Sequence, residues 1–431
     1  MTAATVTMLL FGLLIGLLVL NVPLVAAIGA PTALVMTLYD MNTATFAQRA
    51  YAAVDSFTMM AIPFFMLAGK LMEVGGMSRR IVRFAESIIG WIAGGLAYVV
   101  VLASTFFGAL SGSAAATCAA IGSIMIPEMK KRGYSADFVG ALQAAAGGLG
   151  VIIPPSITMI MYGVTSATSI GDLFIAGIVP GLIMALCLMT VIYLKIRKSP
   201  HAAMRHREPF DGRKFLRTFV DAFFAILVPA IILGGIYSGV FTASEAGAVA
   251  CIYGFLIGVF WYREISLDNF LEIMGGTITN TVLVMLIVAV SGAFSWLLTF
   301  SGAAKFLGLF VNGIAASQFT FLLVSNVIFL VMGMFIESVA AILIITPILH
   351  PIAMSLGIDP VHFGIIMVVN LAIGLVTPPV GENQYIAAAI AGIPFEQILK
   401  AIVPFFASLI LALMIITYVP DLSLFLIRLL R

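Results

Sequence analysis

The chain reads as long apolar runs separated by short polar breaks. Runs of helix length fall at about 4–20, 23–39, 56–74, 91–127, 135–170, 174–194, 220–238, 244–262, 278–300, 318–353, 361–393 and 399–418. A helix needs ~20 apolar residues to cross the hydrocarbon of a bilayer. The runs at 91–127 and 318–353 are too long for one crossing. Each is interrupted near its middle, by Leu110-Ser111-Gly112-Ser113-Ala114 and by Gly333-Met334-Phe335-Ile336-Glu337-Ser338. Each can be two full crossings or a re-entrant hairpin whose tip stops inside the membrane. Two other runs contain a proline pair: Gly147-Gly148-Leu149-Gly150-Val151-Ile152-Ile153-Pro154-Pro155-Ser156, and Gly374-Leu375-Val376-Thr377-Pro378-Pro379-Val380-Gly381-Glu382-Asn383. A proline pair removes two amide donors and clashes with the preceding turn, so the helix must open there. The pattern predicts an all-α polytopic membrane protein with about ten crossings, two re-entrant hairpins and two broken helices. A barrel would instead show short alternating segments.

The segment 77–90 is patterned differently. Ile81, Phe84, Ala85 and Ile88 form one stripe at helical spacing, with Arg79, Arg80, Arg83 and Glu86 off it. This predicts an amphipathic helix on the cytoplasmic membrane surface, and 263–276 reads the same way.

Basic residues orient the chain. With re-entrant tips, one side receives Lys70, Arg79, Arg80, Arg83, Lys130, Lys131, Arg132, Arg263 and Lys400. It also receives Lys195, Arg197, Lys198, Arg205, Arg207, Arg213, Lys214 and Arg217, making 17 of 21. Arg49, Lys305, Arg428 and Arg431 lie opposite. The basic side is expected to be cytoplasmic, with both termini outside. A cysteine in place of His201 is then expected to react with an impermeant reagent from the cytoplasm only. Labelling from outside would overturn the topology.

The two halves repeat at a constant offset of 224. Pro127 matches Pro351, Gly133 matches Gly357, and Gly140 matches Gly364. Gly150 matches Gly374, Pro154-Pro155 matches Pro378-Pro379, and Pro180 matches Pro404. Five crossings per half make the second half upside down relative to the first. The expected organisation is a first inverted repeat over 1–194, with scaffold helices to 90 and a hairpin and broken helix over 91–170. A basic linker follows over 195–219, then a second repeat over 220–431, with scaffold helices over 220–300 and a hairpin and broken helix over 318–393. Paired interrupted segments in inverted halves are the pattern of secondary transporters, which bind substrate and coupling ions near the midplane.

Composition narrows the class further. Of 431 residues, 62% are hydrophobic and 9% charged, against about 25% charged in soluble domains. Forty charged residues cannot cover the surface of a soluble enzyme this size. Cys118, Cys187 and Cys251 stand singly in apolar stretches, without metal-ligand spacing. There is no phosphate-binding G-x-x-x-x-G-K-[ST] and no H-E-x-x-H. The expectation is a transporter driven by an ion gradient, not an enzyme.

An opened helix turns carbonyls inward, where they can ligate Na⁺. Ser111, Ser113, Ser156, Ser338, Thr377 and Asn383 can add side-chain oxygens. Glu337 and Glu382 fall within or near the bilayer, where a carboxylate costs roughly 2.5–3.5 kcal/mol at a helix centre. They need partners, protonation or a wet cavity. Ser111, Gly112, Ser156, Glu337, Glu382 and Asn383 are the candidate substrate contacts. Asn280, Asn326, Asn370 and Gln143 suit interhelical hydrogen bonds, and His350 and His362 fall near an outer loop and read as solvated.

These residues resemble the large membrane subunit of tripartite ATP-independent periplasmic (TRAP) transporters, of the ion transporter superfamily. The resemblance rests on Ile62-Pro63-Phe64-Phe65 with Ala68-Gly69, on Leu110-Ser111-Gly112-Ser113, and on Ile153-Pro154-Pro155-Ser156. It continues through Ser169-Ile170-Gly171-Asp172-Leu173-Phe174-x-Ala176-Gly177, Thr242-x-x-Glu245-Ala246-Gly247 and Thr377-Pro378-Pro379-Val380-Gly381-x-Asn383. It implies an elevator, in which a core carrying both hairpins slides against a scaffold. It implies one Na⁺ site drawing on Ser111, Ser113 and the Gly150–Pro155 loop, including Pro154, and another drawing on Gly333, Thr377 and the Pro379–Gly381 loop. It also implies a small four-helix membrane subunit, here expected as a separate chain, and a periplasmic substrate-binding protein. Location in the bacterial inner membrane and small organic-acid substrates follow from the same resemblance. Glu382 stands where a carboxylate disfavours the most anionic substrates or binds a cationic moiety. The alternative is a self-sufficient ion-coupled anion carrier of the same superfamily.

Overall fold

The structure, a computed structural model, describes residues 2–198, 209–302, 317–378 and 380–430. The expectations placed on His201, Arg205, Arg207, Lys305, Pro379 and Arg431 lie outside the described residues. Nineteen α-helices are described: α1 Ala3–Val19, α2 Leu24–Leu38, α3 Ala44–Val54, α4 Ala61–Val74, α5 Met77–Ile89, α6 Gly95–Ser111, α7 Ala114–Lys131, α8 Ala136–Gly147, α9 Ile157–Ser166 and α10 Ile170–Lys198. They continue as α11 Gly212–Tyr237, α12 Ala243–Leu256, α13 Leu267–Phe300, α14 Gln318–Phe335, α15 Ser338–Ser355, α16 Pro360–Gly374, α17 Glu382–Ala391, α18 Phe395–Tyr418 and α19 Asp421–Leu430. Among the described residues, eight helical stretches are long and apolar enough to cross a membrane.

Both overlong runs fold back on themselves, by different devices. Helix α6 stops because Gly112 takes a left-handed φ of 61°, which glycine adopts without a Cβ penalty. Ser113 then caps α7 through the Ala116 amide at 3.4 Å. The second turn has no glycine. Ile336 is extended (φ −124°, ψ 138°), and the Glu337 carboxylate caps α15 by accepting from the Val339 and Ala340 amides at 3.0 and 3.3 Å.

Pro154-Pro155 and Pro378 sit in the predicted breaks. After α8 the chain tightens into a 3₁₀ turn over Gly148–Val151 and restarts at α9. After α16 it restarts at α17, where Gly381 is again left-handed, φ 47°.

Element boundaries follow the 224-residue register. Helix α7 shifted by 224 lands on α15, and α6 and α9 land within one residue of α14 and α17. Helix α13, 34 residues long, spans in that register what α3 and α4 cover as two pieces. Packing is reciprocal between the halves: α9 lies on α15, and α17 lies on α7 and α8. Two polar contacts tie these crossings. Lys130 Nζ, ending α7, donates to the Ala391 carbonyl that ends α17 at 2.6 Å, a cation at a helix C-terminus. Tyr162 OH on α9 donates to the Pro360 carbonyl at 2.8 Å and lies 3.0 Å from His350 Nδ1.

Four expectations are corrected. The 263–276 segment is no separate surface helix, because Ser266 caps α13 and the helix runs unbroken through Gly275-Gly276 to Phe300. Helix α5 is not laid on the surface alone: it packs between α6 and α11, and Arg80 turns inward to Asp221 and Glu264. His362 is not solvated but 2% exposed, with Nδ1 at Ser423 Oγ (3.3 Å) and Nε2 at the Thr417 carbonyl (3.2 Å). Asn280 is exposed at a cavity rim. Asn326, Asn370 and Gln143 do bridge helices, Asn326 to Thr417, Asn370 to Asn326 and Gln143 to the Cys118 carbonyl.

Candidate cation and substrate site

The first tip and the first break close on each other. Ser111 Oγ lies 2.8 Å from Thr117 Oγ1 and donates to the Ser113 carbonyl at 3.3 Å. Gly150 faces this trio: a Cβ there would overlap both the Ser113 carbonyl oxygen and Thr117 Oγ1. Gly108 lets α6 approach, since a Cβ on it would stand 2.9 Å from Gly150 Cα. The result is a cradle of neutral oxygens held open by a missing side chain. Hard cations prefer oxygen ligands, and Na⁺ suits a set without formal charge. Among the described residues, no three His, Cys, Asp or Glu come together as a metal site.

Loop and tip are tied by backbone. The Ile157 amide donates to the Gly112 carbonyl at 3.4 Å. A Cβ on Gly112 would stand 2.8 Å from the Pro155 carbonyl oxygen. Pro154 is buried in the same loop. Ser156, 1% exposed, spends its hydroxyl inside the loop, 2.6 Å from the Val151 carbonyl and 2.7 Å from Thr158 Oγ1. It braces the broken segment and does not face the cavity described below.

The second tip meets the second break in a similar way. Gly333 and Gly374 cross backbone to backbone, with a Cβ on Gly374 falling 2.6 Å from Gly333 Cα. Thr377 Oγ1 donates to the Ile373 carbonyl at 2.7 Å and keeps acceptor capacity. Gln384 Nε2 holds the Val376 carbonyl at 2.5 Å, and the Asn383 amide holds that of Leu375 at 3.1 Å. A Cβ on Gly381 would stand 3.2 Å from the Thr377 carbonyl oxygen. Ser338 Oγ and Gln384 Oε1 are buried without a hydrogen-bond partner among the described residues.

Glu337 and Glu382 keep accessible surface beside the second tip and break, and Glu337 directs its carboxylate to the Val339 and Ala340 amides. Asn383 is fully buried, and its Nδ2 donates to the Ala144 carbonyl across the repeat boundary at 3.2 Å.

A cavity of about 530 Å3 opens beside the first tip. Its walls come from α4 (Met66, Gly69, Lys70, Glu73), α13 (Gly276, Thr277, Asn280) and the α6–α7 tip (Ser111, Ser113). Ala115, Ala116 and Ala119 of α7, Ile157 and Ile386 complete it. Of the sequence candidates, Ser111 and Ser113 reach it, whereas Gly112, Ser156, Glu337, Glu382 and Asn383 do not line it. Gly69 lets α4 press on the tip, since a Cβ there would lie 3.2 Å from Ser111 Cα. The sequence reading missed Thr117, although it follows Ser113 by four residues and so shares its helix face. It also missed Lys70, Glu73 and Thr277 as cavity residues, because nothing local says which scaffold face meets the tip.

Comparison with known proteins places the chain. Residues 7–422 match the family described as the tripartite ATP-independent periplasmic transporter, DctM component. The chain is 42% identical over 399 residues to the C4-dicarboxylate TRAP transporter large permease protein DctM of Pseudomonas aeruginosa, covering 92% of this chain and 93% of that one. It is 41% identical over 418 residues to the isethionate TRAP transporter permease protein DctMQ of Oleidesulfovibrio alaskensis, covering 96% of this chain but only 65% of that relative's length. It is 37% identical over 383 residues to the sialic acid TRAP transporter large permease protein SiaM of Vibrio cholerae, covering 88% of each.

Proposed function

The chain belongs to the DctM component family of TRAP transporters and is a multi-pass membrane protein, and from that premise we propose that it is the large permease subunit of a Na⁺-coupled importer of small organic anions. The oxygen cradle at Ser111, Ser113, Thr117 and Gly150, set against a cavity shared by α4, α13 and the first tip, carries this reading. The cradle would hold Na⁺ through the two hydroxyls and the Ser113 carbonyl. A second Na⁺ would sit between Gly333, Thr377 and the loop ending at Gly381, with Pro379 in that loop. When bound, the cation supplies positive charge that favours an anion in the adjoining cavity.

The two halves act as inverted repeats, which the reciprocal packing of α9 on α15 and α17 on α7 supports. A core of α6–α9 and α14–α17 moves as an elevator against a scaffold that includes α4 and α13. The cavity lies on that boundary, so sliding would carry its contents across the bilayer. Two partners complete the importer: a small four-helix membrane subunit, and a periplasmic binding protein that delivers substrate. The relatives' names, C4-dicarboxylate, isethionate and sialic acid, support anionic cargo. The inner membrane of a bacterium is the setting.

The test is uptake into proteoliposomes carrying the chain and its small subunit, with the binding protein outside and a Na⁺ gradient. Ser111→Ala and Thr377→Ala should each raise the Na⁺ concentration for half-maximal uptake about tenfold, the effect of losing roughly 1.4 kcal/mol of ligation. Unchanged Na⁺ dependence in both would sink the cation sites. Uptake without either partner would favour the self-sufficient carrier instead.

A further inference from the structure

A second cavity, of about 210 Å3, opens among α5, α6 and α7, at the ends of α6 and α7 remote from the first tip. Val82, Leu96, Val99 and Met125, all buried, give it an apolar floor. Its exposed lining is basic: Arg79 and Arg83 come from α5, one turn apart, and Arg132 ends α7. Two carboxylates also line it, and both are engaged. Lys214 of α11 holds Glu86 at 3.2 Å, and Arg132 holds Glu128 at 3.2 Å. Arg79 has a loose pair with Glu264, at 3.8 Å, and is 66% exposed. Arg83 is exposed and makes no ion pair among the described residues. Like charges four residues apart on a helix repel, so Arg79 and Arg83 together disfavour the empty crevice. The end of the same helix carries the marks of a bilayer interface. Trp91, 42% exposed, meets exposed Phe210 edge-on at 6.0 Å, and Phe84 packs on Phe215 and Phe219 of α11 at 5.9 and 5.7 Å. Exposed tryptophan is enriched at the headgroup level of a membrane.

We infer that this crevice binds the headgroup of an anionic phospholipid, with Arg83 its principal phosphate contact. Basic pockets between membrane helices suit such headgroups on the face where lysine and arginine collect. Planar guanidinium forks match phosphate oxygens in pairs. Arg79 and Arg83 on α5 and Arg132 on α7 supply those donors. The apolar floor receives the glycerol carbons, and the acyl chains stay in the bilayer. A soluble phosphate gains nothing from that floor, which favours the lipid. Among the lining residues, three arginines against two carboxylates leave one positive charge. A headgroup with one net negative charge neutralises it, whereas a zwitterionic headgroup adds a cation that Arg83 repels. The bound phosphate also relieves the repulsion between Arg79 and Arg83 and ties α5 to the end of α7. The site stands on this crevice alone and is independent of the cation and substrate sites proposed above.

The test uses the full chain in lipid-stripped detergent micelles, with phosphatidylglycerol, phosphatidylcholine and inorganic phosphate as probes. Binding is read by native mass spectrometry and by the midpoint of thermal unfolding, which a ligand of the folded state raises. The unaltered chain should bind phosphatidylglycerol at least about tenfold more tightly than phosphatidylcholine. Arg83→Gln should weaken phosphatidylglycerol about tenfold, the scale of one charge-assisted contact. Lys400→Gln removes an exposed cation of α18 outside the crevice and should weaken it less than about twofold. Glu128→Gln should strengthen binding, because a competing carboxylate is gone. Equal binding of the two lipids overturns the site. So does a loss in Arg83→Gln no larger than that in Lys400→Gln, the mark of general attraction to a basic surface. Displacement of the lipid by inorganic phosphate at equal concentration overturns the lipid assignment in favour of a soluble anion. Should Arg83→Gln fail to fold, unchanged or weakened binding in Glu128→Gln overturns the site equally.

Discussion

Gly150→Ala is expected to shift Na⁺-driven uptake to much higher Na⁺ concentration while leaving a folded, inserted protein. The added methyl overlaps the Ser113 carbonyl oxygen and Thr117 Oγ1, two of the three oxygens of the cradle. Gly108 Cα packs behind Gly150, and the Ser113 carbonyl also accepts the Thr117 amide that starts α7. Neither wall can retreat without unwinding the hairpin tip. Overpacking of this kind costs about 1–3 kcal/mol, or roughly five- to 150-fold in cation affinity if it falls on the bound state. The measurement is uptake against Na⁺ concentration, with monodispersity in detergent as the folding control. Gly234→Ala is the matched comparison: its methyl meets nothing within 4 Å, and uptake should be unchanged. Normal Na⁺ dependence in Gly150→Ala would mean that the cation does not bind there.

The second large effect belongs to stability. Arg80→Gln should lower the midpoint of thermal unfolding in detergent by roughly 5 °C or more. Arg80 is 16% exposed and joins three elements. Its Nε donates to Asp221 of α11 at 3.2 Å, its Nη1 to Glu264 before α13 at 2.6 Å, and Nη1 again to the Gly76 carbonyl at 2.9 Å. The guanidinium lies 3.7 Å from the centre of the Tyr262 ring. Removing one partner of such a cluster costs about 3–5 kcal/mol when buried. The lower end applies here, because Asp221 is 42% exposed and water relieves it. Arg80→Lys keeps the charge but loses the fork and should fall between. A midpoint within 1 °C of the unaltered protein for Arg80→Gln would contradict the brace, since about 3 kcal/mol predicts several times that shift.

The two predictions differ in how visible their residues are in the sequence. Gly150 stands out there because it heads the Val-Ile-Ile-Pro-Pro break and recurs as Gly374 at the fixed offset. Arg80 reads only as a charge on the polar face of an amphipathic helix. Its partners are 141 and 184 residues away, and no local pattern pairs them. Ser156 shows the converse error of scale. Its position beside the proline pair suggested a ligand, yet the loop's own curl brings the Val151 carbonyl within 2.6 Å and takes its hydroxyl. Asn383 likewise lies beside the second break but turns its amide onto the Ala144 carbonyl of the other half.

The sequence by itself determined the helical class, the breaks and the turns. Those follow from short-range physics: the length of apolar runs, the lost donors of paired prolines, the left-handed freedom of Gly112 and the capping hydroxyl of Ser113. The tertiary structure alone decided which surfaces meet. It set Thr117 beside Ser111, Lys70 across from the first turn of α7, and α17 against α7 rather than against its own hairpin. Those choices depend on close backbone crossings at Gly69, Gly108 and Gly333, where the absence of a side chain permits an approach whose partner lies far along the chain.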